Sequence, residues 1–224
     1  MGVPADYDED PERFRLGTRV TERYLTGTSS LYERVAARLG GDVLDIGCGE
    51  GALSAVPAEA PVRIVGLDAS ATMLRAHPRP AVRATAVRLP FKDGTFDAAV
   101  AVNMLYHLDD PVPAIREARR VLAPGGLFIA PAISRYDSPE LAHVWRREPT
   151  CFDAEEAPDI VARVFGRGRV EVERWDAPLI TLPDQEAVRD FLTARQVAEA
   201  SVLAGRVHAP VAVTKRGALV LARR

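Results

Sequence analysis

Cysteine is scarce: Cys48 and Cys151 are the only two, far apart in a chain of 224 residues. The chain also lacks any apolar run near the roughly 18 residues that a bilayer-spanning helix needs, because its richest stretch is interrupted by Asn103 and His107. No membrane span is expected. Charge excess is missing too, with 29 basic against 31 acidic residues and an isoelectric point near 6.1. That balance removes the electrostatic footprint of a nucleic-acid or anionic-membrane binder and leaves a small-molecule partner as the expectation. The opening segment MGVPADYDEDPERF has neither a basic nor an apolar leader region, so a cytoplasmic, reducing location is expected. Repeats and low-complexity tracts are absent, and the prolines sit at apparent element boundaries rather than in a linker.

At 47% hydrophobic residues, a chain of this length can close over one core, and a single domain over 1–224 is expected. Its stretches read as an amino-terminal helical cover (1–40), a ligand-binding core (41–132), and substrate-side elements with the last strands (133–224). The start through Asp10 reads as loosely ordered. Asp10-Pro11 then opens a helix with Phe14, Gly17, Val20 and Tyr24 on one face. Ser30 and Glu33 form a capping-box pattern for a second helix that buries Leu31, Val35 and Leu39. Short apolar runs at 43–46, 62–68, 81–87, 96–102 and 126–132 alternate with helices capped at Ser70 and opened by Asp110-Pro111. Asp153 with Glu156 reads as a further helix cap, 170–175 as a strand, 184–203 as one helix, and the closing segment VAVT-KRG-ALVLA as a hairpin. The alternation predicts a Rossmann-like, doubly wound α/β fold. Its sheet is expected to be mostly parallel and seven-stranded, with helices on both faces and the ligand at the strands' carboxyl ends.

The first strand runs into Asp45-Ile46-Gly47-Cys48-Gly49-Glu50-Gly51, a glycine at every second position. Glycine permits a tight turn and close backbone approach to a ligand, and a following helix start would offer free amide donors. The second strand ends in Asp68, whose carboxylate can accept hydrogen bonds from both hydroxyls of a ribose. Gly47, Gly49 and Ala52 also satisfy the dinucleotide pattern G-x-G-x-x-G/A, so an oxidoreductase stands as an alternative. Asp68 could instead cap the next helix, although Ser70 is itself a competent cap.

From 40 to 132 the chain resembles class I S-adenosylmethionine-dependent methyltransferases of the small-molecule type. The motifs VLDIGCGEG (43–51), VGLDAS (65–70), LPFKDGTFD (89–97), NMLYHLDDP (103–111) and REARRVLAPGG (116–126) carry that resemblance. It implies S-adenosyl-L-methionine as cofactor and transfer of its methyl group to an O, N or C nucleophile, with no covalent enzyme intermediate. It further implies that Asp45, Gly47, Cys48 and Gly49 border the methionine part and that Asp68 holds the ribose. Ala69 and Met73 flank the adenine, Ala86 and Val87 line its other edge, Asn103 and His107 fall beside the methionine tail and the reaction cleft, and Thr85 and Met104 complete the cofactor-binding set. Thr85 stands where the family often has an aspartate, and a hydroxyl accepts the adenine amino group less strongly. His107 is the candidate general base, with a structural role as the plain alternative. Asp109 and Asp110 are explained by the helix start, so no metal is expected. A cofactor-binding module without turnover remains the alternative from outside enzymology.

Overall fold

A computed structural model describes residues 5–26, 30–57, 60–78 and 80–224. In chain order the elements are α1 (Ala5–Glu9), α2 (Pro11–Tyr24), α3 (Leu31–Ala36), β1 (Gly41–Ile46), β2 (Val62–Asp68), α4 (Ala71–Ala76), β3 (Ala81–Arg83) and β4 (Phe96–Val100). There follow α5 (Val112–Val121), β5 (Leu122–Ile133), α6 (Ala157–Phe165), β6 (Val170–Leu182), α7 (Gln185–Thr193), α8 (Ala200–Ala204) and β7 (Val211–Arg223).

The seven strands form one sheet in the order β3-β2-β1-β4-β5-β7-β6. Pairing is parallel from β3 through β5, whereas β7 runs antiparallel to both of its neighbours. The predicted doubly wound, mostly parallel sheet is therefore present. Chain order reverses between β1 and β4, so the loops leaving those two strands open a crevice where such sheets hold ligands. Side chains alternate across the sheet as the pleat requires. Leu44, Ile46, Phe128, Ala130 and Val220 join α5 and α6 in one buried cluster. Val43, Ile129, Leu219 and Leu221 join Val35 and Leu39 in another on the opposite face. A third cluster sets Val20 of α2 against Val188 and Phe191 of α7, with Leu16 and Tyr24 partly buried at its edge. The Phe14 side chain, expected on the same helix face, lies outside the described residues. Among the described residues no helix is long and apolar enough to cross a membrane.

The capping box exists as expected: the Glu33 amide donates to Ser30 Oγ at 3.1 Å and the Ser30 amide donates to Glu33 Oε2 at 2.6 Å. Ser30→Ala is expected to lower unfolding free energy by about 1 kcal/mol. Its urea midpoint should fall with the slope of the transition unchanged.

Five expectations are corrected. The start is not loose throughout, because Ala5–Glu9 is helical and docks on α4. The third strand stops at Arg83, where the Ala84 amide bonds the Asp68 carbonyl and residues 85–88 turn away. Gln196 and Glu199 adopt left-handed φ of 59° and 58°, which divides the expected single helix into α7 and α8. Asp153 caps nothing by its side chain, since Arg147 and Thr150 occupy both of its oxygens. The closing segment is one continuous strand rather than a hairpin. Gly217 is there for close approach, not for a turn: a Cβ would sit 2.5 Å from Trp175 Cε2 and 2.6 Å from the Ala132 carbonyl oxygen.

Candidate functional site

β1 delivers Asp45 to the crevice and then turns sharply, with φ of 72° at Gly47, 55° at Gly49 and 92° at Gly51. A side chain on Gly47 would also stand 2.6 Å from Met104 Cβ, so glycine is required there on two counts. The loop is drawn onto β2. The Gly47 and Cys48 amides donate to the Leu67 carbonyl at 2.7 and 3.1 Å, and the Gly49 amide donates to Asp68 Oδ2 at 2.9 Å. Asp68 Oδ1 accepts from the Ser70 amide at 2.8 Å. Each carboxylate oxygen thus keeps acceptor capacity for one further donor. Ser70, not Asp68, caps α4, its Oγ accepting from the Met73 amide at 3.2 Å.

Two sequence expectations change here. Among the described residues no α-helix stands between the loop and β2; Leu53–Ala55 is a single 3-10 turn, in keeping with the helix-disfavouring position ahead of Pro57. Nor are the loop amides free, because those of Gly47, Cys48, Gly49 and Gly51 already have partners within the protein.

Asp45 is 3% exposed. Burial first, and the nearby charge of Asp68 second, push its carboxyl up to about 7. Among the described residues neither carboxylate has an ion-pair partner within 4.0 Å. Burial likewise drives the Cys48 thiol far up, with Asp45 and Asp68 adding to the shift, so Cys48 is no nucleophile. Asn103, just past β4, has φ of 53°, in the left-handed region that asparagine tolerates better than most residues. Its side chain faces the Tyr32 hydroxyl, which burial and then Asp45 raise to about 12. Met73 and Ala86 are buried, while Ala69, Thr85 and Val87 are half-buried beside the β2 end. These residues lie along the segments that follow β1, β2, β3 and β4.

His107 sits exposed on the rim. Its Nε2 shares a short hydrogen bond with the Tyr7 hydroxyl, and its ring lies 4.3 Å from that of Tyr106. From the same short helix, Asp8 Oδ1 accepts from Ser70 Oγ at 2.6 Å and from the Thr72 amide at 3.2 Å. α2 adds Arg15, which donates to Glu50 in the glycine loop at 2.7 and 2.9 Å. The amino-terminal helices thus contact the segments that follow β1, β2 and β4. Sequence reasoning missed Tyr7, Asp8, Arg15 and Tyr32, and only the aromatic and acidic character of the start hinted at them.

Asp110 Oδ1 accepts from the Val112 amide at 3.0 Å, as a helix-start role requires. Asp153, Glu155 and Glu156 bring carboxylate oxygens within 4.8 Å of one another, but Arg135 and Arg147 engage them.

Residues 44–130 match the methyltransferase domain family. A protein of Mycolicibacterium smegmatis named as a probable S-adenosylmethionine-dependent methyltransferase is 37% identical over 111 residues, which cover 47% of this chain and 43% of that one. The chain spans about half or less of the length of the first curated relatives it matches. Among solved structures, a Thermotoga maritima methyltransferase described as possibly acting on histamine superposes with a TM-score of 0.61. It is 21% identical, with 97% of each chain covered. The [4+2]-cyclase SpnF superposes with a TM-score of 0.65 at 20% identity, over 100% of this chain and 98% of that one. These two likenesses concern the fold.

Proposed function

We propose, from the match of residues 44–130 to the methyltransferase domain family, that the protein transfers a methyl group from S-adenosylmethionine to a small-molecule nucleophile. The observation that carries this reading is the pair Asp45 and Asp68, two carboxylates on adjacent strands with a glycine loop between them and no basic partner among the described residues. Such a site suits a ligand bearing both positive charge and hydroxyls. It disfavours a dinucleotide, whose pyrophosphate would meet two negative charges without the helix amino terminus that normally receives it.

Asp68, held by the Gly49 and Ser70 amides, accepts the ribose hydroxyls. Asp45 lies toward the cationic methionine end, where Asn103, Met104 and Tyr32 form the wall. Arg15, held on Glu50, is the cation that α2 brings to the loop. Ala69, Met73 and Thr85–Val87 flank the adenine. When bound, S-adenosylmethionine would supply an activated methyl group for the acceptor's electron pair, the carbon–sulfur pair staying with sulfur and the acceptor's proton passing to solvent. The residues around it have only to align the acceptor and exclude water. Positioning of this kind is worth effective molarities of about 10⁵ M or more, roughly 7 kcal/mol.

His107 serves in this reading to latch α1 through Tyr7. His107→Ala and Tyr7→Phe should each lower kcat/KM by less than about tenfold, and the double variant should be no worse than the poorer single one. A loss of about 10²-fold in His107→Ala alone, with the acidic limb of the pH–rate profile gone, would instead make it the general base. The reaction itself is tested with methyl-labelled S-adenosylmethionine and a panel of phenols, acids and amines. Stoichiometric appearance of S-adenosylhomocysteine and labelled product supports transfer. Tight binding without turnover across the panel supports a binding module.

A further inference from the structure

Lysine is almost absent from this arginine-rich chain: Lys92 and Lys215 are the only two. Lys92 is exposed in a turn, whereas Lys215 lies within β7 with its side chain 18% exposed. Around Lys215 the fold gathers Asp137, Arg147, Asp153 and Arg195. The Lys215 ammonium pairs with Asp137, and Arg147 Nη1 donates to Asp153 Oδ1 at 2.6 Å. Each of those two cations therefore has its own carboxylate. Arg195 does not. Its guanidinium lies 3.2 Å over the Phe191 ring and 5.8 Å from that of Trp145, and its Nη1 donates to the Phe191 carbonyl at 2.9 Å. Lys215 Nζ stands 6.0 Å from the centroid of the same Phe191 ring.

Burial lowers the Arg195 guanidinium to about 10 and the Lys215 ammonium to about 8; Asp137 opposes both shifts, while Arg195 and Arg147 add to that on Lys215. Arg195 nevertheless keeps part of its surface accessible. A half-buried cation with no carboxylate of its own is open to an anionic ligand, which would offset the cost of its partial burial. Through Arg147, this group of charges adjoins Tyr106 beside the crevice. Arg147 lies 5.9 Å from the Tyr106 ring, which neighbours His107 and is felt electrostatically by Tyr32.

We infer that Arg195 and Lys215 bind a carboxylate of the methyl acceptor, anchoring it beyond Tyr106 so that its nucleophile points back toward the methyl donor. The inference rests on the proposed methyl transfer and specifies its substrate class as a small carboxylic acid. Both cations are positioning residues, and Arg147 with Asp137 and Asp153 sets the local charge. Full-length protein saturated with S-adenosylhomocysteine and labelled with ¹³C at lysine Cε should show two lysine signals, assigned by Lys92→Arg. The Lys215 signal should titrate near pH 8, and benzoate should raise its midpoint by at least one pH unit, whereas benzamide leaves it in place. Arg195→Gln should abolish the benzoate response, and Arg195→Lys should keep part of it. A Lys215 midpoint indifferent to benzoate and acetate would overturn the inference. So would a response to inorganic phosphate alone, or an undiminished response in Arg195→Gln. Calorimetry on the same sample reports S-adenosylhomocysteine binding separately, so failure of the cofactor reading is distinguished from failure of the carboxylate site.

Discussion

Asp68→Ala should weaken S-adenosylhomocysteine binding on the order of 10²- to 10³-fold, about 3–4 kcal/mol, because two charge-assisted hydrogen bonds of roughly 1.5–3 kcal/mol each are lost. The same carboxylate also accepts the Gly49 and Ser70 amides, so the fold should lose about 1–3 kcal/mol as well. A purely structural role for Asp68 would produce the second effect without a ribose-specific first. The two are separated by the 2′-deoxy analogue of S-adenosylhomocysteine. Wild-type protein should bind the analogue at least tenfold more weakly than the parent, and Asp68→Ala should bind both alike. A variant affinity within threefold of wild type would defeat the ribose assignment.

Asp45→Asn should stabilise the ligand-free protein at alkaline pH while weakening cofactor binding. The Asp45 carboxyl lies at about 7 in the folded chain against an ordinary 3.8, because burial and then Asp68 disfavour its charge. An acid raised on folding favours the native state below its unfolded pKa, and that contribution disappears as pH climbs through the folded value. Between pH 4 and 8 the wild type should therefore lose stability relative to Asp45→Asn, by an amount on the order of 4 kcal/mol. Thermal melts of both proteins at the two pH values check this. Equal differences at pH 4 and pH 8 would show that Asp45 does not titrate there. A bound cation holds the carboxyl ionised, so cofactor binding to wild type near pH 6 should release a proton that Asp45→Asn does not.

Much of the site was legible because its determinants are local. Gly47, Gly49 and Gly51 adopt the positive φ that their spacing suggests, Asp68 ends a strand, and Ser30 and Ser70 cap helices as their neighbours require. The parallel order followed from strand–helix alternation. What failed depended on tertiary partners. Asp153 resembles a helix cap in sequence but is claimed by Arg147 and Thr150, and Gly217 resembles a turn but makes room for Trp175. The acidic start resembles a loose tail, yet Tyr7 and Asp8 find His107, Ser70 and Thr72, 100 residues away at the farthest. The Arg195–Lys215 group was invisible for the same reason, its members coming from separate elements in the carboxyl-terminal half of the chain.

The most direct test of the central claim is a calorimetric comparison of S-adenosylmethionine, S-adenosylhomocysteine and reduced nicotinamide dinucleotide on the same protein at pH 7.5. The carboxylate pair and glycine loop predict one site that takes both adenosyl amino acids and gives no heat with the dinucleotide. Binding of the dinucleotide with no response to either adenosyl compound would contradict the account.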